Sequence, residues 1–309
     1  MKSPAVIINA NAGGVRSDPG IIERIRERLP FENVRVTHEP SQIEPALAEL
    51  LATDSDTLVI VGGDGSAGGT LTALIAASAG RELPRVVMAG GGSVNTIARS
   101  LGARGRPDVN IGRWIRASEP RFERVHPLLE ITAGNEPPRY GMLFGAGLIA
   151  RWLENYYKTG GGPVAAALTL AGSVASVLVR GRQSRELFKP FDVTRELDDE
   201  PALEKNLTGM IASTVRDIGL GFQPFTTAGE SPDRFHWIET DASGGRFALE
   251  LPAQLFRWES RGSSLDHASP QRVRIRAAVP LLYMIDADLF PPTRELCIAA
   301  GPAIRFASP

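Results

Sequence analysis

The sequence predicts an α/β domain followed by a mostly antiparallel β-sandwich domain. The chain has 309 residues, more than one hydrophobic core usually organises, so two domains are expected. Its first third alternates short apolar runs with amphipathic helical patterns, which is typical of a parallel sheet covered by helices. The remainder consists mainly of short β-like runs separated by Pro, Gly and Asp. The predicted boundary places residues 1–120 in the first domain and residues 121–309 in the second.

Apolar runs predict the strands of the first domain, and they are Ala5–Asn9, Val34–Thr37, Thr57–Val61 and Arg85–Ala89. Because helical patterns with short connections fill the gaps between these runs, the strands are expected to lie parallel in one sheet.

Cap signals and apolar periodicity place the helices of this domain. Asp18-Pro19 opens the first helix, because an N-cap residue followed by proline suits a helix start. Ser41–Glu44 has the form of a capping box before the second helix. A third helix is predicted over roughly Ala67–Ser78, and a short one over about Val94–Leu101.

The second domain contains one long uncharged segment, Pro163–Val179. It is shorter than the ~20 residues that a membrane-spanning helix needs, and it is only mildly apolar. A buried core helix, a lipid-facing interfacial helix and a spanning helix all remain open for it. A further helix is predicted near Leu148–Tyr157.

Composition and charge limit the partners and the compartment. The formal net charge of −1 argues against a nucleic-acid partner, since general nucleic-acid binders carry a basic excess. The single cysteine, Cys297, excludes an internal disulfide and fits a reducing compartment. Gly and Asn occur too early in the N-terminal residues for the apolar core of a signal peptide. We therefore expect a cytoplasmic protein.

Three glycine-rich loops follow strands of the first domain. They are "NANAGG" (Asn9–Gly14), "GGDGS" (Gly62–Ser66) and "GGGSVN" (Gly90–Asn95). The carboxyl ends of parallel strands line the crevice in which ligands bind, and glycine lets backbone N–H groups approach a phosphate. Each loop alone could be a tight turn. Together they predict a phosphate-binding site.

The aspartate in the second loop distinguishes between kinds of nucleotide site. Gly63–Gly68 reads as G-x-G-x-x-G, but a dinucleotide loop follows the first strand, whereas this loop follows the third. A carboxylate without a bound metal repels a pyrophosphate. A magnesium ion between the two groups makes the interaction favourable, because oxygen atoms of both bind the ion. Asp64 therefore favours a metal–nucleoside triphosphate over NAD. No P-loop, H-E-x-x-H or G-x-S-x-G motif indicates another chemistry.

Five segments, taken in order, resemble one protein family. They are "INANAGG", "GGDGS", "GGGSVNTIARSLG", "YGMLFGAGLIARW" and "LLYMIDADLF". They resemble the I-N-P-x-S-G loop, the G-G-D-G-T/S motif, the P-x-G-T-x-N-D-F-A-R segment, the opening of the second domain and the V-D-G-E region of the diacylglycerol kinase catalytic domain family. This family includes soluble bacterial lipid kinases, sphingosine kinases and ceramide kinases. The resemblance implies an NAD-kinase-like nucleotide-binding domain followed by a β-rich lipid-substrate domain.

The resemblance also implies an activity and its residues. ATP and Mg²⁺ would phosphorylate a hydroxyl of a neutral lipid, namely diacylglycerol, ceramide or a sphingoid base. Asp64 would organise the magnesium, and Asp233 is a second metal candidate. Asp288 would accept the proton of the lipid hydroxyl, with Asp286 as the alternative base. The residues implied to hold the nucleotide are Asn9, Thr37, Gly62, Gly63, Asp64, Gly65, Ser66, Gly92, Ser93 and Asn95.

The catalytic segment departs from the family pattern, because D-G-E reads here as D-A-D. Asp288 is one methylene shorter than glutamate, so the base must approach more closely or act through water. Ala287 replaces a glycine, which excludes a turn that needs positive φ at this position. Two other functions remain open, a kinase for NAD or another small molecule and a catalytically silent lipid- or nucleotide-binding module.

Basic residues adjoin the uncharged segment Pro163–Val179. They are Arg180, Arg182, Arg185 and Lys189. They could attract an anionic membrane surface or form an ordinary solvated face. A peripheral contact with the inner face of the membrane is therefore expected beside a lipid substrate. The sequence leaves the oligomeric state open, a homodimer included.

Overall fold

The computed structural model describes residues 2–78, 82–92, 98, 101, 105–117, 119–158, 182–216, 224–247 and 264–308. The chain forms two compact units. The first comprises Met1–Leu128, Arg139–Gly141 and Pro302–Pro309, and the second comprises Leu129–Pro138 and Met142–Gly301. The sequence-based division places the whole C-terminal part in the second domain. The structure instead returns the last residues to the first unit, because Phe306 pairs with Val86 in its sheet.

A parallel sheet forms the centre of the first unit. Its strands are β1 (Ala5–Asn9), β2 (Val34–Thr37), β3 (Thr57–Val61) and β4 (Arg85–Met88). They lie in the order β4-β3-β1-β2, and every pair is parallel. All five residues of β3 are buried, as expected for a strand covered on both faces. The predicted parallel α/β fold is confirmed.

The helices of the first unit lie in the connections between strands. The described ones are α1 (Gly13–Ser17), α2 (Gly20–Arg26), α3 (Ile43–Leu51), α4 (Asp64–Ser78) and α5 (Pro107–Arg116). One face of the sheet packs on α2 and α5 through buried residues that include Val6, Val59, Ile25 and Trp114. The predicted helix over Val94–Leu101 lies mostly outside the described residues.

Two helix starts differ from the prediction. Helix α4 begins at Asp64, three residues earlier than expected, so this aspartate lies in the first helical turn. The capping box is formed by Glu39 and Gln42, and the predicted Ser41–Glu44 box is wrong. Ser41 lies inside a short 3₁₀ turn, whereas Glu39 has the extended backbone that an N-cap residue requires.

Antiparallel strands dominate the second unit. They are β7 (Leu143–Gly147), β8 (Phe191–Leu197), β9 (Leu203–Leu207), β10 (Gly209–Ser213), β11 (His236–Thr240), β12 (Leu265–Ala268) and β13 (Arg272–Ile285). Two further strands, β5 (Phe122–Ala133) and β14 (Asp288–Ser308), run from one unit into the other, and β6 is Arg139–Gly141. The order in the second unit is β12-β11-β10-β7-β13-β14, with β8 pairing β13 and β9. The predicted, mostly antiparallel β fold is confirmed.

The second unit also has helices α6 (Leu148–Lys158) and α7 (Arg182–Leu187). No helix in the described part of the chain is long and apolar enough to cross a membrane. The segment Pro163–Val179, for which the sequence left three interpretations open, lies outside the described residues.

A buried ion pair lies within the second unit. Glu239 and Arg195 are 2% and 5% exposed, and the Arg195 guanidinium donates to both carboxylate oxygens of Glu239 at 3.0 and 3.2 Å. The Trp237 indole and the Lys205 ammonium each approach the same carboxylate at 3.0 Å. Burial opposes ionisation of Glu239, but the hydrogen bonds from Trp237, Arg195 and Lys205 outweigh it and lower the pKa of the carboxyl. The charge is therefore retained inside the unit.

Candidate functional site

The three glycine-rich loops come together at the carboxyl ends of β1, β3 and β4. The Gly14 amide donates to the Gly91 carbonyl at 2.8 Å, and the Gly91 amide donates to the Gly62 carbonyl at 2.7 Å. The Asn9 side-chain amide donates to the Ser66 hydroxyl at 2.6 Å. Residues from all three predicted loops therefore meet in one place within the first unit.

The packing of these loops explains why glycine occupies them. A Cβ atom added at Gly62 would lie 2.6 Å from the Ser66 Cβ, which is closer than real Cβ contacts. A Cβ at Gly14 would lie 2.9 Å from the Gly91 carbonyl oxygen, and one at Gly91 would lie 3.1 Å from the Gly62 nitrogen. Gly90 has a φ of +70°, which other residues rarely adopt. The surface of the site is therefore formed mainly by the backbone of the loops, with few side chains.

Helix α4 directs its N-terminus toward these loops. The Gly63 carbonyl accepts the first bond of the helix, from the Ala67 amide at 3.1 Å. The amides of a first helical turn point out of the N-terminal end, where the helix dipole attracts anions. Gly65 and Ser66 belong to that turn, and so does Asp64. This arrangement suits a phosphate group.

The end of β2 supports the first loop. The Ala10 amide donates to the Thr37 carbonyl at 2.9 Å, and the Asn11 side chain donates to the His38 carbonyl at 2.6 Å. The Thr37 side chain is buried, and its hydroxyl donates to the Ile8 carbonyl at 3.3 Å. The structure gives this hydroxyl a supporting contact, and the nucleotide contact of Thr37 stays a prediction.

The third loop is described only in part. Gly92 lies beside the second loop, since a Cβ added at Gly63 would stand 3.4 Å from the Gly92 Cα. The predicted nucleotide residues Ser93 and Asn95 lie outside the described residues.

The loops offer few carboxylate ligands for a magnesium ion. Within the described ranges, no group of three or more His, Cys, Asp or Glu side chains lies together. Asp64 supplies one carboxylate beside the helix N-terminus. Mg²⁺ at nucleotide sites takes one or two protein carboxylates and completes its shell with phosphate oxygens and water. The residues at the loops therefore fit a magnesium–nucleotide complex.

The second metal candidate, Asp233, lies in an exposed turn of the second unit. Its two carboxylate oxygens accept hydrogen bonds from the Ser231 hydroxyl at 2.6 Å and the Gln271 side-chain amide at 2.8 Å. The bond from Ser231 is the main cause that lowers the pKa of Asp233. The carboxylate ties the turn to the start of β13, and a metal at this position stays a prediction.

The structure places the two predicted base candidates in one tight turn. Asp286 and Ala287 connect β13 to β14, and Ile285 pairs with Asp288 across the turn. The Asp286 carboxylate accepts the backbone N–H groups of Met142 and Leu143 at 2.8 and 2.9 Å. The Asp286 amide donates to the Leu143 carbonyl at 2.7 Å. Asp286 is therefore an anchor that holds the turn against the start of β7.

The two aspartates differ in conformation and exposure. Asp286 is buried and has a φ of +55°, whereas Asp288 is exposed. The sequence predicted that Ala287, which replaces the family's glycine, excludes a turn that needs positive φ at this position. In the structure the left-handed residue of the turn is the preceding Asp286, a residue type that tolerates this region better than most.

Sequence reasoning missed a tyrosine beside this turn. The Tyr157 hydroxyl, in the last turn of α6, donates to the backbone carbonyl of Ala287. The helix itself was predicted near Leu148–Tyr157. Its partner lies 130 residues further along the chain, and no local pattern indicates such a contact.

Comparison with known proteins agrees with these features. Residues 3–123 match the family model of the diacylglycerol kinase catalytic domain, which confirms the predicted resemblance over this part of the chain and supports a kinase. No curated protein matches the sequence.

Solved structures from Bacillus anthracis str. Sterne resemble the whole chain. Two are named as candidate diacylglycerol kinases, with TM-scores of 0.70 and 0.69 and identities of 12% and 14%. A third, named as a diacylglycerol kinase, has a TM-score of 0.64 and 13% identity. Each alignment covers 98% of this chain and 95–96% of the other chain. At these identities the likeness establishes a shared fold.

Proposed function

We propose that this protein is an ATP- and Mg²⁺-dependent lipid kinase, which transfers the γ-phosphate of ATP to a hydroxyl of a neutral lipid. The observation that carries the proposal is the convergence of three glycine-rich loops on the N-terminus of α4, with Asp64 in its first turn. The family match over residues 3–123 supports it. Diacylglycerol, ceramide and sphingoid bases are the acceptor lipids to be compared.

The nucleotide phosphates bind to the backbone of these loops. Close packing at Gly62 keeps side chains away, and the helix N-terminus adds a favourable dipole. The hydrogen bond from Asn9 to Ser66 joins the first loop to α4 and holds both polar side chains at the proposed phosphate site. The proposed nucleotide residues in the described part are Asn9, Thr37, Gly62, Gly63, Asp64, Gly65, Ser66 and Gly92.

Asp64 is the residue proposed to hold magnesium. When bound, the ion neutralises phosphate charge and lowers the barrier to phosphoryl transfer. Asp64 lies in the first turn of α4, and the positive end of a helix dipole favours acidic side chains at this position.

Asp288 is the proposed general base, and Asp286 is proposed to position it. Asp288 is exposed, whereas the Asp286 carboxylate is buried and accepts two backbone N–H bonds. Asp288 accepts the proton as the lipid oxygen forms a bond to the γ-phosphorus and the bond to the leaving ADP oxygen breaks. A positioned base contributes about 10²–10⁴-fold in rate.

The lipid acceptor is assigned to the β-rich second unit. Arg185 in helix α7 and Lys189 just after it are exposed, and the uncharged segment Pro163–Val179 precedes them in the sequence. An apolar segment flanked by basic side chains favours a peripheral contact with an anionic membrane. We include this contact in the proposal.

A transfer assay tests the proposal. The wild type is incubated with radiolabelled ATP, magnesium and mixed micelles that contain diacylglycerol, ceramide or sphingosine separately, beside soluble NAD. Asp288→Asn runs in parallel, and ATP binding to Asp64→Asn is measured in the presence and absence of magnesium. A labelled lipid whose formation falls at least about 10²-fold in Asp288→Asn supports the proposal. Transfer to NAD alone, or ATP binding without transfer to any acceptor, contradicts it.

A further inference from the structure

Helix α6 contacts the turn that carries Asp288. The Tyr157 hydroxyl donates a hydrogen bond to the backbone carbonyl of Ala287. That carbonyl belongs to the planar peptide group that joins Ala287 to Asp288. The bond therefore fixes the orientation of the peptide plane immediately before the proposed base.

The same helix packs against both strands that flank the turn. Leu153 and Tyr156 form an apolar cluster with Met284 on one side of the turn and Leu289 on the other. This packing sets the distance between α6 and the turn. The Tyr157 hydroxyl then adds a directional contact that apolar packing cannot supply.

We propose that Tyr157 is a positioning residue for phosphoryl transfer, which orients Asp288 through the Ala287 carbonyl. This inference rests on the proposed kinase function. The two turn residues are held by different groups, since backbone amides bind Asp286 and the tyrosine binds Ala287. The Tyr157 side chain is 46% exposed, so removing its hydroxyl opens no cavity in a core.

The expected consequence is a loss of rate without a loss of binding. When Tyr157 no longer holds the Ala287 carbonyl, the peptide before Asp288 can rotate, and the base spends less time in the productive geometry. The contact lies in the second unit, whereas the loops proposed to bind ATP lie in the first unit, so we expect ATP binding to be unchanged. A change in kcat without a change in KM for ATP therefore separates positioning from general destabilisation.

Tyr157→Phe tests the inference, because it removes one oxygen and keeps the ring. Tyr156→Phe is the matched control, since it removes a hydroxyl from the adjacent residue of the same helix. For Tyr157→Phe we expect kcat to fall about fivefold to tenfold, the loss expected for one hydrogen bond, with KM for ATP unchanged within about twofold. Hydrogen exchange of the segment 285–289 should accelerate in Tyr157→Phe and not in Tyr156→Phe.

The outcomes distinguish the inference from the function on which it rests. If the wild type phosphorylates no lipid, the proposed function fails and the positioning role fails with it. If the wild type is active and Tyr157→Phe keeps its kcat, or the segment 285–289 exchanges at the wild-type rate, the positioning role alone is overturned. An equal loss of kcat in Tyr156→Phe also overturns it, because the effect is then not specific to the Ala287 contact.

Discussion

The two candidate sites of this chain are held together by different parts of the polypeptide. In the first unit, backbone groups of Gly14, Gly62 and Gly91 bind one another, and glycine is required by the lack of space. In the second unit, the turn before Asp288 is held by side chains, the Asp286 carboxylate and the Tyr157 hydroxyl. A site built from backbone is damaged by added atoms, whereas a site built from side chains is damaged by their removal.

Removal of the buried Glu239 carboxylate is expected to lower the stability of the protein more than any other substitution considered below. Glu239→Ala leaves the Arg195 guanidinium inside the second unit without its counter-ion and removes the acceptor of the Trp237 indole. Breaking a buried pair by removing one partner costs about 3–5 kcal/mol of unfolding free energy. Urea titration of wild type and variant measures the loss.

Glu196→Ala is the control for that measurement. Glu196 forms an exposed ion pair with Arg274 at 3.4 Å, and such surface pairs contribute about 0–1 kcal/mol. Similar losses of unfolding free energy in both variants would show that the buried Glu239 pair stabilises the second unit no more than an exposed pair does.

Gly62→Ala tests whether added atoms damage the backbone-built site of the first unit. One methyl group would stand 2.6 Å from the Ser66 Cβ, so the second loop must shift away from α4. Overpacking of this kind costs about 1–3 kcal/mol. We expect a roughly tenfold to hundredfold weaker ATP affinity by isothermal titration calorimetry.

Gly69→Ala, within helix α4, is the matched control for Gly62→Ala. Its added methyl group would meet the Ile43 Cδ1 at an ordinary 3.5 Å, and alanine favours a helix interior over glycine by up to about 1 kcal/mol. This variant should bind ATP normally and unfold at a higher urea concentration. Unchanged ATP affinity in Gly62→Ala would contradict the idea that the loops need bare backbone.

The contrast between the units also explains what the sequence could predict. The parallel strands and the three loops follow from local signals, since apolar runs, glycines and connection lengths lie next to one another in the chain. Strands β1, β2 and β3 have the predicted bounds. The start of α4 was misplaced because Asp and Gly are weak helix formers, and the helix nevertheless includes Asp64 and Gly65.

The side-chain contacts of the second unit are harder to predict from the local sequence, because the two partners of each contact lie far apart in the chain. Arg195 follows Phe191 and Val193 at every second position of β8, so strand alternation alone would have placed it inward. Its partner Glu239 lies in another strand, and register cannot be read from either segment alone. The same holds for Tyr157 and Ala287, whose contact depends on how α6 packs on β13.

The smallest expected effect belongs to Asp286→Asn, and it decides between the two base candidates. The carboxamide oxygen can still accept the Met142 and Leu143 amides, and asparagine tolerates the positive φ of this position. If Asp286 is an anchor, kcat should stay within about threefold of the wild type, because only a charge on a hydrogen-bonded acceptor is lost. Asp286→Ala removes the acceptor and places a β-carbon without a polar group at positive φ, so it should lower both stability and kcat. A loss in Asp286→Asn as large as that in Asp288→Asn, measured in the same transfer assay, would instead make Asp286 the base.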